Sequence, residues 1–386
     1  MAPTYKIIVT ILASIGLVSA VLPPICQLVA PPQETLDIQT ANLTLTNTPF
    51  GVVYASNDVA FVGVGESFSV LNTSTFPPTE IFSFPVHFGN TGFPSVQGLA
   101  ITHDKKTVYL SVGPGAIAID VAKAVAHEAD YIAGYLNGTA GVTSIETTVS
   151  LHDHYVFVSQ EDGTKASANN GTLEVFHVQR ATNGSVSSTY IGYIELGYLV
   201  VGSALSPDGK KLYVTSEQYS SRASQGFLSV LDVETLKTNP SAALLATADA
   251  GCGALRVAVS HNGKHVWVTA RESNMLLAFD AAELESNSST ALVASVQVGT
   301  SPVGLHFVNG GRHIITADSN RFGFANATSG LTVVDVEAAL NGTQGSPRIP
   351  TGLFPREMAL SPDGKTLLVS DYGSNVTQAV NVTQLA

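Results

Sequence analysis

The charged side chains of this sequence gather beside short β-branched runs. Gln160-Glu161, Glu217, Arg271-Glu272, Asp318 with Arg321, and Asp371-Tyr372 follow such runs, whereas Gln97, Glu146, Arg256, His306 and Arg356-Glu357 lead into others. Only 12% of residues are charged, so a repeated placement of this kind asks for a reason. A guanidinium can polarise an oxygen atom, a buried carboxylate can hold a proton near neutral pH, and an imidazole can exchange one. Arg271, Glu272, Glu217, His306 and Arg356 are therefore the candidate catalytic groups. Gln160, Asp318, Arg321, Phe322, Phe354 and Tyr372 are the candidate substrate-binding groups, the aromatic ones walling an apolar molecule. The competing explanation is structural, since Arg and carboxylate groups on neighbouring elements can pair simply to lock them together.

Other chemistries find little support. Among 386 residues, 18 Lys and Arg stand against 30 Asp and Glu, a net charge of −12, and no basic run exceeds Lys210-Lys211. Nucleic acid is not an expected partner, because that affinity rests on clustered cations. No Gly-x-Ser-x-Gly elbow, CxxC, HExxH or Asp-rich calcium loop occurs, so neither a metal nor a cofactor is expected. His152-Asp153-His154 has the spacing of metal ligands but falls at a turn, as His261, His265 and His313 fall at or just after turns. Solvated surface histidine is the preferred reading.

The elements that position these groups form a repeat. Ser206-Pro207-Asp208-Gly209-Lys210-Lys211-Leu212-Tyr213-Val214-Thr215 returns as Ser361-Pro362-Asp363-Gly364-Lys365-Thr366-Leu367-Leu368-Val369-Ser370, as Ser260-His261-Asn262-Gly263 with Val266-Trp267-Val268-Thr269, and more loosely from Thr102. Alignment on the large residue after the turn gives Phe61, Tyr109, Phe157, Tyr213, Trp267, Ile315 and Leu368, seven units of about fifty residues. Asp-Gly and Asn-Gly favour the positive φ of hairpin turns, and alternation around them fits half-buried strands. Sheets of this size bury both faces by radial stacking, so an all-β, seven-bladed β-propeller of four-stranded antiparallel blades is expected over 49–386. The seventh unit runs out of residues after three strands. A strand from the tail at 21–48, placed at 35–39, is expected to complete it and remove the open sheet edge. The turns then lie on one face of the disc and the candidate site on the other, around the channel mouth.

Leu212-Tyr213-Val214-Thr215 after Ser-Pro-Asp-Gly, with Val266-Trp267-Val268-Thr269, resembles the YVTN or lactonase-like propeller family from about residue 49 to the C-terminus. Residues 1–20 look like a cleaved signal peptide: Lys6, an apolar stretch over 7–17, then Val18-Ser19-Ala20. Asn-x-Ser/Thr sequons begin at Asn42, Asn72, Asn137, Asn170, Asn183, Asn287, Asn326, Asn341, Asn375 and Asn381. Cys26 and Cys252, an even pair in an exported chain, are expected to form one disulfide that draws residues 27–34 across the mouth. With these features the whole chain resembles secreted fungal propellers that act as hetero-Diels-Alderases in tropolone-sesquiterpenoid biosynthesis. That resemblance implies a cofactor-independent enzyme; a monomer is expected, soluble after signal cleavage with no membrane partner, because no later stretch reaches about 18 uninterrupted apolar residues. It would join a tropolone-derived ortho-quinone methide to a humulene-type alkene, a small apolar metabolite. A lactonase-type hydrolase and a non-enzymatic extracellular binding module are the alternatives.

Overall fold

The computed structural model describes residues 25–88, 95–220 and 223–385; the signal-peptide reading lies outside them. Six four-stranded antiparallel sheets occupy 49–85, 99–136, 144–195, 198–252, 254–297 and 302–350, and a seventh joins 355–381 to a strand from the N-terminal tail. Each innermost strand packs against that of the next blade, and the last packs against the first, closing a seven-bladed propeller. The seven aligned residues from Phe61 to Leu368 all fall in second strands.

Burial follows position within a blade. The second strand Thr107–Val112 is buried at every residue because neighbouring blades cover both its faces. The outermost strand Thr79–Pro85 alternates between solvent and the sheet. The repeated turns share one hydrogen-bond set. Ser206 Oγ donates to Asp208 Oδ1 at 2.6 Å, Lys210 N donates to the same oxygen at 3.1 Å, and Lys211 N donates to Ser206 Oγ at 3.0 Å. Gly209, Gly263 and Gly364 hold φ of 70°, 71° and 74° there; in blade two Lys105 takes φ 60° without the freedom of glycine. Third strands end at Asp120, Asp232, Asp280 and Asp335, each of which caps a short helix by accepting from its first-turn N–H groups.

A second periodicity controls the channel. Eleven residues before Phe61, and twelve before each of the other six aligned residues, stand Phe50, Gln97, Ile145, Val201, Leu255, Val303 and Arg356. The residues that follow them are Gly51, Gly98, Glu146, Gly202, Arg256, Gly304 and Glu357. Four glycines let inner strands touch: a Cβ on Gly51 would meet Gln97 O at 2.6 Å, and one on Gly98 would meet Ile145 O at 2.7 Å. The three exceptions project charge into the channel. Phe50, Ile145, Val201, Leu255 and Val303 make an apolar collar toward the mouth.

The closing strand is Thr40–Thr44, paired antiparallel with Val376–Asn381 from Thr40↔Val380 to Thr44↔Val376. The expected segment, 35–39, is instead the approach to it. Thr35 bridges Arg348 of blade six in parallel, and Leu36 N donates to Arg348 O. The alternation of apolar residues is shared between two segments: Leu36 and Ile38 pack between blades six and seven, Leu43 and Leu45 between seven and one. Cys26 and Cys252 are disulfide-bonded. From there the tail follows the mouth face: Gln27 N donates to Glu272 O, Ala30 N to Thr300 Oγ1, and Gln33 Nε2 to Thr332 Oγ1. It skirts blades five and six and does not cross the channel.

Two truncations separate these roles. A chain beginning at Thr35 loses the disulfide, whose 226-residue separation sets a chain-entropy effect of about 5 kcal/mol, and is expected to remain folded and dispersed at a lower urea midpoint. A chain beginning at Leu45 leaves the last blade with an open edge and is expected to aggregate. Urea titration and sedimentation velocity check both.

Candidate functional site at the channel mouth

The loops between second and third strands and the crossings between blades meet on the mouth face. Arg271 stands at their centre, 5% exposed, with Glu217 at 4%. One Arg271 Nη2 donates to Glu217 Oε1, and Glu272 Oε1 lies 3.8 Å from the same nitrogen. Burial holds Glu217 above the usual carboxylate range, opposed by the attraction of Arg271.

Arg271 borders two spaces. Outward is a cavity of about 410 Å³ walled by Phe322, Phe324, Leu28 and the Cys26 end of the tail. The Phe322 ring centre lies 5.6 Å from the Arg271 guanidinium carbon. Inward is a narrow throat where Arg271 meets Glu161, Glu217, Arg321 and Arg356. Arg356 is caged by rings, its guanidinium carbon 3.9 Å from the centre of Phe50, 5.2 Å from Phe354 and 5.5 Å from Tyr372. It makes no hydrogen bond or ion pair among the described residues, and its Nε is buried without an acceptor. Burial, with Arg256 nearby, pushes it down to about 10, so it remains cationic at neutral pH.

The mouth thus unites Arg271, Glu272, Glu217, Arg356, Arg321, Phe322, Phe354 and Tyr372. Three expected members are elsewhere. His306 lines a separate cavity with Lys105 and Pro362, on the turn face, because it stands two residues past Gly304 on a strand running away from the mouth. Gln160 is fully buried; its amide donates to Pro114 O at 3.0 Å and to Glu174 Oε2 at 2.9 Å. Asp318, 1% exposed, accepts from Thr316 and Thr332 within blade six. Both hold loops in place and open to neither cavity. Phe50 was missed, and Arg256 was placed among the charged rim groups without a site role; the sevenfold alignment of inner strands carries the signal for both. Asp153 accepts from His103 N and Nδ1, each at 2.8 Å, joining two turns.

Among solved structures the chain is similar to a chain of the mitotic checkpoint complex, with TM-score 0.65 and 15% identity over 98% of this chain and 99% of that one. It is equally similar to a chain of Kuenenia stuttgartiensis hydrazine synthase, with TM-score 0.65 and 14% identity over 91% and 97%. Likeness at such identity shows the propeller fold alone. No family model matches the sequence, and no curated protein matches it.

The buried acids give stability a definite pH dependence. Burial raises Asp318 and Asp371 to about 7 and Glu146 to about 8. The unfolded chain releases these protons near pH 4, so their stabilisation is complete below that and is lost as pH rises from about 4 to about 8. Asp104, Asp208 and Asp363 are lowered by hydrogen bonds in the turns, which outweigh desolvation, and their contribution is lost in the opposite direction, below about pH 4. Calorimetric Tm is expected to peak near pH 4–5 and to fall toward pH 8. A Tm rising from pH 5 to pH 8 contradicts this assignment.

Proposed function

We propose that the mouth binds a small, largely apolar molecule through a polarisable oxygen and promotes a cofactor-independent cycloaddition. Following the resemblance of the sequence, the reaction is the hetero-Diels–Alder joining of a tropolone-derived ortho-quinone methide to a humulene-type alkene. One observation carries the reading: the throat that shares Arg271 with the aromatic cavity holds Arg356, a cation caged by three rings and without an ion pair or side-chain hydrogen bond among the described residues.

In this scheme Phe322 and Phe324 hold the hydrocarbon partner, while Arg356 and Arg271 face the oxygen of the enone. A donor fixed there stabilises the negative charge that grows on oxygen as the carbon–carbon and carbon–oxygen bonds form, without reorganisation of solvent. The quinone methide arises by loss of water from a hydroxymethyl tropolone. Glu217, held above the usual carboxylate range, delivers a proton to the leaving hydroxyl and regains one from the ring hydroxyl. The disulfide, the leader-like residues 1–20 and ten sequon asparagines, none of them buried, support a secreted glycoprotein.

Purified protein supplied with a hydroxymethyl tropolone and humulene is expected to accelerate adduct formation and fix its stereochemistry. Arg356→Ala is expected to lower the rate by about tenfold to a thousandfold, the scale of losing one preorganised donor. His306→Ala, on the other face, is expected to leave it unchanged. Product ratios identical with and without protein reject the cycloaddition. Hydrolysis of simple lactones lost with Arg356→Ala would then favour a hydrolase, and tight binding without turnover a binding module.

A further inference from the structure

The turn face holds a second cavity, of about 390 Å³, on the far side of Arg256 from the mouth. Its floor is the ionic cluster formed by the three inner-strand positions where glycine is missing. Arg256 donates through Nε to Glu357 Oε1 at 2.9 Å and through Nη1 to Val201 O at 2.6 Å, with Nη2 2.7 Å from the same Glu357 oxygen. Every kind of nitrogen on this guanidinium is engaged. Glu146 Oε2 is left 3.7 Å from Arg256 Nε, buried and without a hydrogen bond among the described residues. The other group on the wall, His306, places Nδ1 2.8 Å from its neighbour's carbonyl, Phe307 O, which fixes the proton on Nδ1 and leaves Nε2 as an acceptor.

The unmet capacity of this cup is therefore acceptor capacity. At the floor, two carboxylates against one guanidinium leave an excess negative charge whenever Glu146 is ionised, and the only other cation in the lining is Lys105 at the lip. Leu99, Val257, Leu305 and Met358 supply aliphatic wall beside these groups. Lys105, at the lip, makes no ion pair among the described residues.

We propose that this cavity is a binding site for a primary alkylammonium, with its nitrogen against Glu146 and its hydrocarbon body along the aliphatic wall. The site is independent of the mouth and of whatever reaction proceeds there. An ammonium supplies both things the floor beside Glu146 lacks, donors and positive charge, whereas an alcohol supplies only the first. Binding is linked to protons. Glu146 faces Arg256 from blade five, Glu357 from blade seven, His306 from blade six and Lys105 from blade two, and desolvation raises its proton affinity. An arriving ammonium expels that proton, so affinity rises with pH through the range where the amine stays charged.

Isothermal calorimetry on the full protein tests this with n-pentylammonium chloride and 1-pentanol as probes. The ammonium is expected to bind, more tightly at pH 9 than at pH 6, and the alcohol to bind about tenfold more weakly or worse, the scale of a charge-assisted hydrogen bond. Glu146→Gln is expected to remove the ammonium's advantage and the pH dependence. Lys105→Gly, in a turn whose positive φ suits glycine, keeps the fold and is expected to tighten ammonium binding by removing a like charge. Equal affinity for the two probes, no binding at 50 mM probe (about a thousandfold above a 50 µM site), or a Lys105→Gly variant that binds the ammonium more weakly overturns the proposal.

Discussion

Closure is the constraint on which this molecule depends. In a ring of seven wedge-shaped sheets a gap at the seam exposes two otherwise buried faces and leaves the closing strand and its partner unpaired. Five backbone partners between Thr40–Thr44 and Val376–Asn381 seal it. Leu43 and Leu45 then fill the seam between the last blade and the first. The tail reinforces this seal before reaching it, by bridging blade six at Arg348 and by the disulfide at Cys252. Each attachment lies on a different blade, so the seal is held against rotation as well as separation.

The channel is partitioned, and Arg256 is the partition. Its guanidinium borders the throat of the mouth on one side and the turn-face cavity on the other. Glycine at four of the seven equivalent positions brings the inner strands together, and the three side chains that replace it fill the space left over. A guanidinium among apolar collar residues is costly to bury, and it is retained here with two carboxylates on the turn side and a peptide oxygen at Val201. Negative charge is thereby concentrated on one side. On the other stands Arg356, caged by three rings and without an ion pair among the described residues. One positional rule thus yields two cavities of opposite demand.

The architecture was legible because it is written seven times. The large residue of the second strand recurs in all seven units, an Asp-Gly or Asn-Gly turn precedes it in several, an Asp closes the third strand in four, and each has one physical job. What occurs once was harder to read. The tail changes partner at residue 40, and nothing in Leu36, Ile38, Leu43 and Leu45 says which pair meets which seam. His306 looks like a mouth residue because it lies near the start of a strand, but two further residues at about 3.3 Å each carry it through the disc. Gln160 and Asp318 do stand at the mouth end of their strands, with side chains turned into the sheet by neighbours that the sequence does not place beside them. Arg356 was named for its charge, whereas its distinction is the absence of an ion pair among the described residues and the presence of Phe50, a residue 306 positions away.

The course of the tail also sets an order of assembly. Residues 26–44 leave the ribosome before any blade, yet Cys26 must wait for Cys252, Thr35 for Arg348, and Thr40 for Val380. Blades one to six can form as they emerge, each packing against the face of the one before. A segment made before the blades is the last to find its place, and until then it trails as an unpaired strand carrying a free thiol. A nascent chain of this design is exposed throughout its synthesis to pairing with its neighbours, and its topology makes oxidation of Cys26 a report that at least four blades have been laid down.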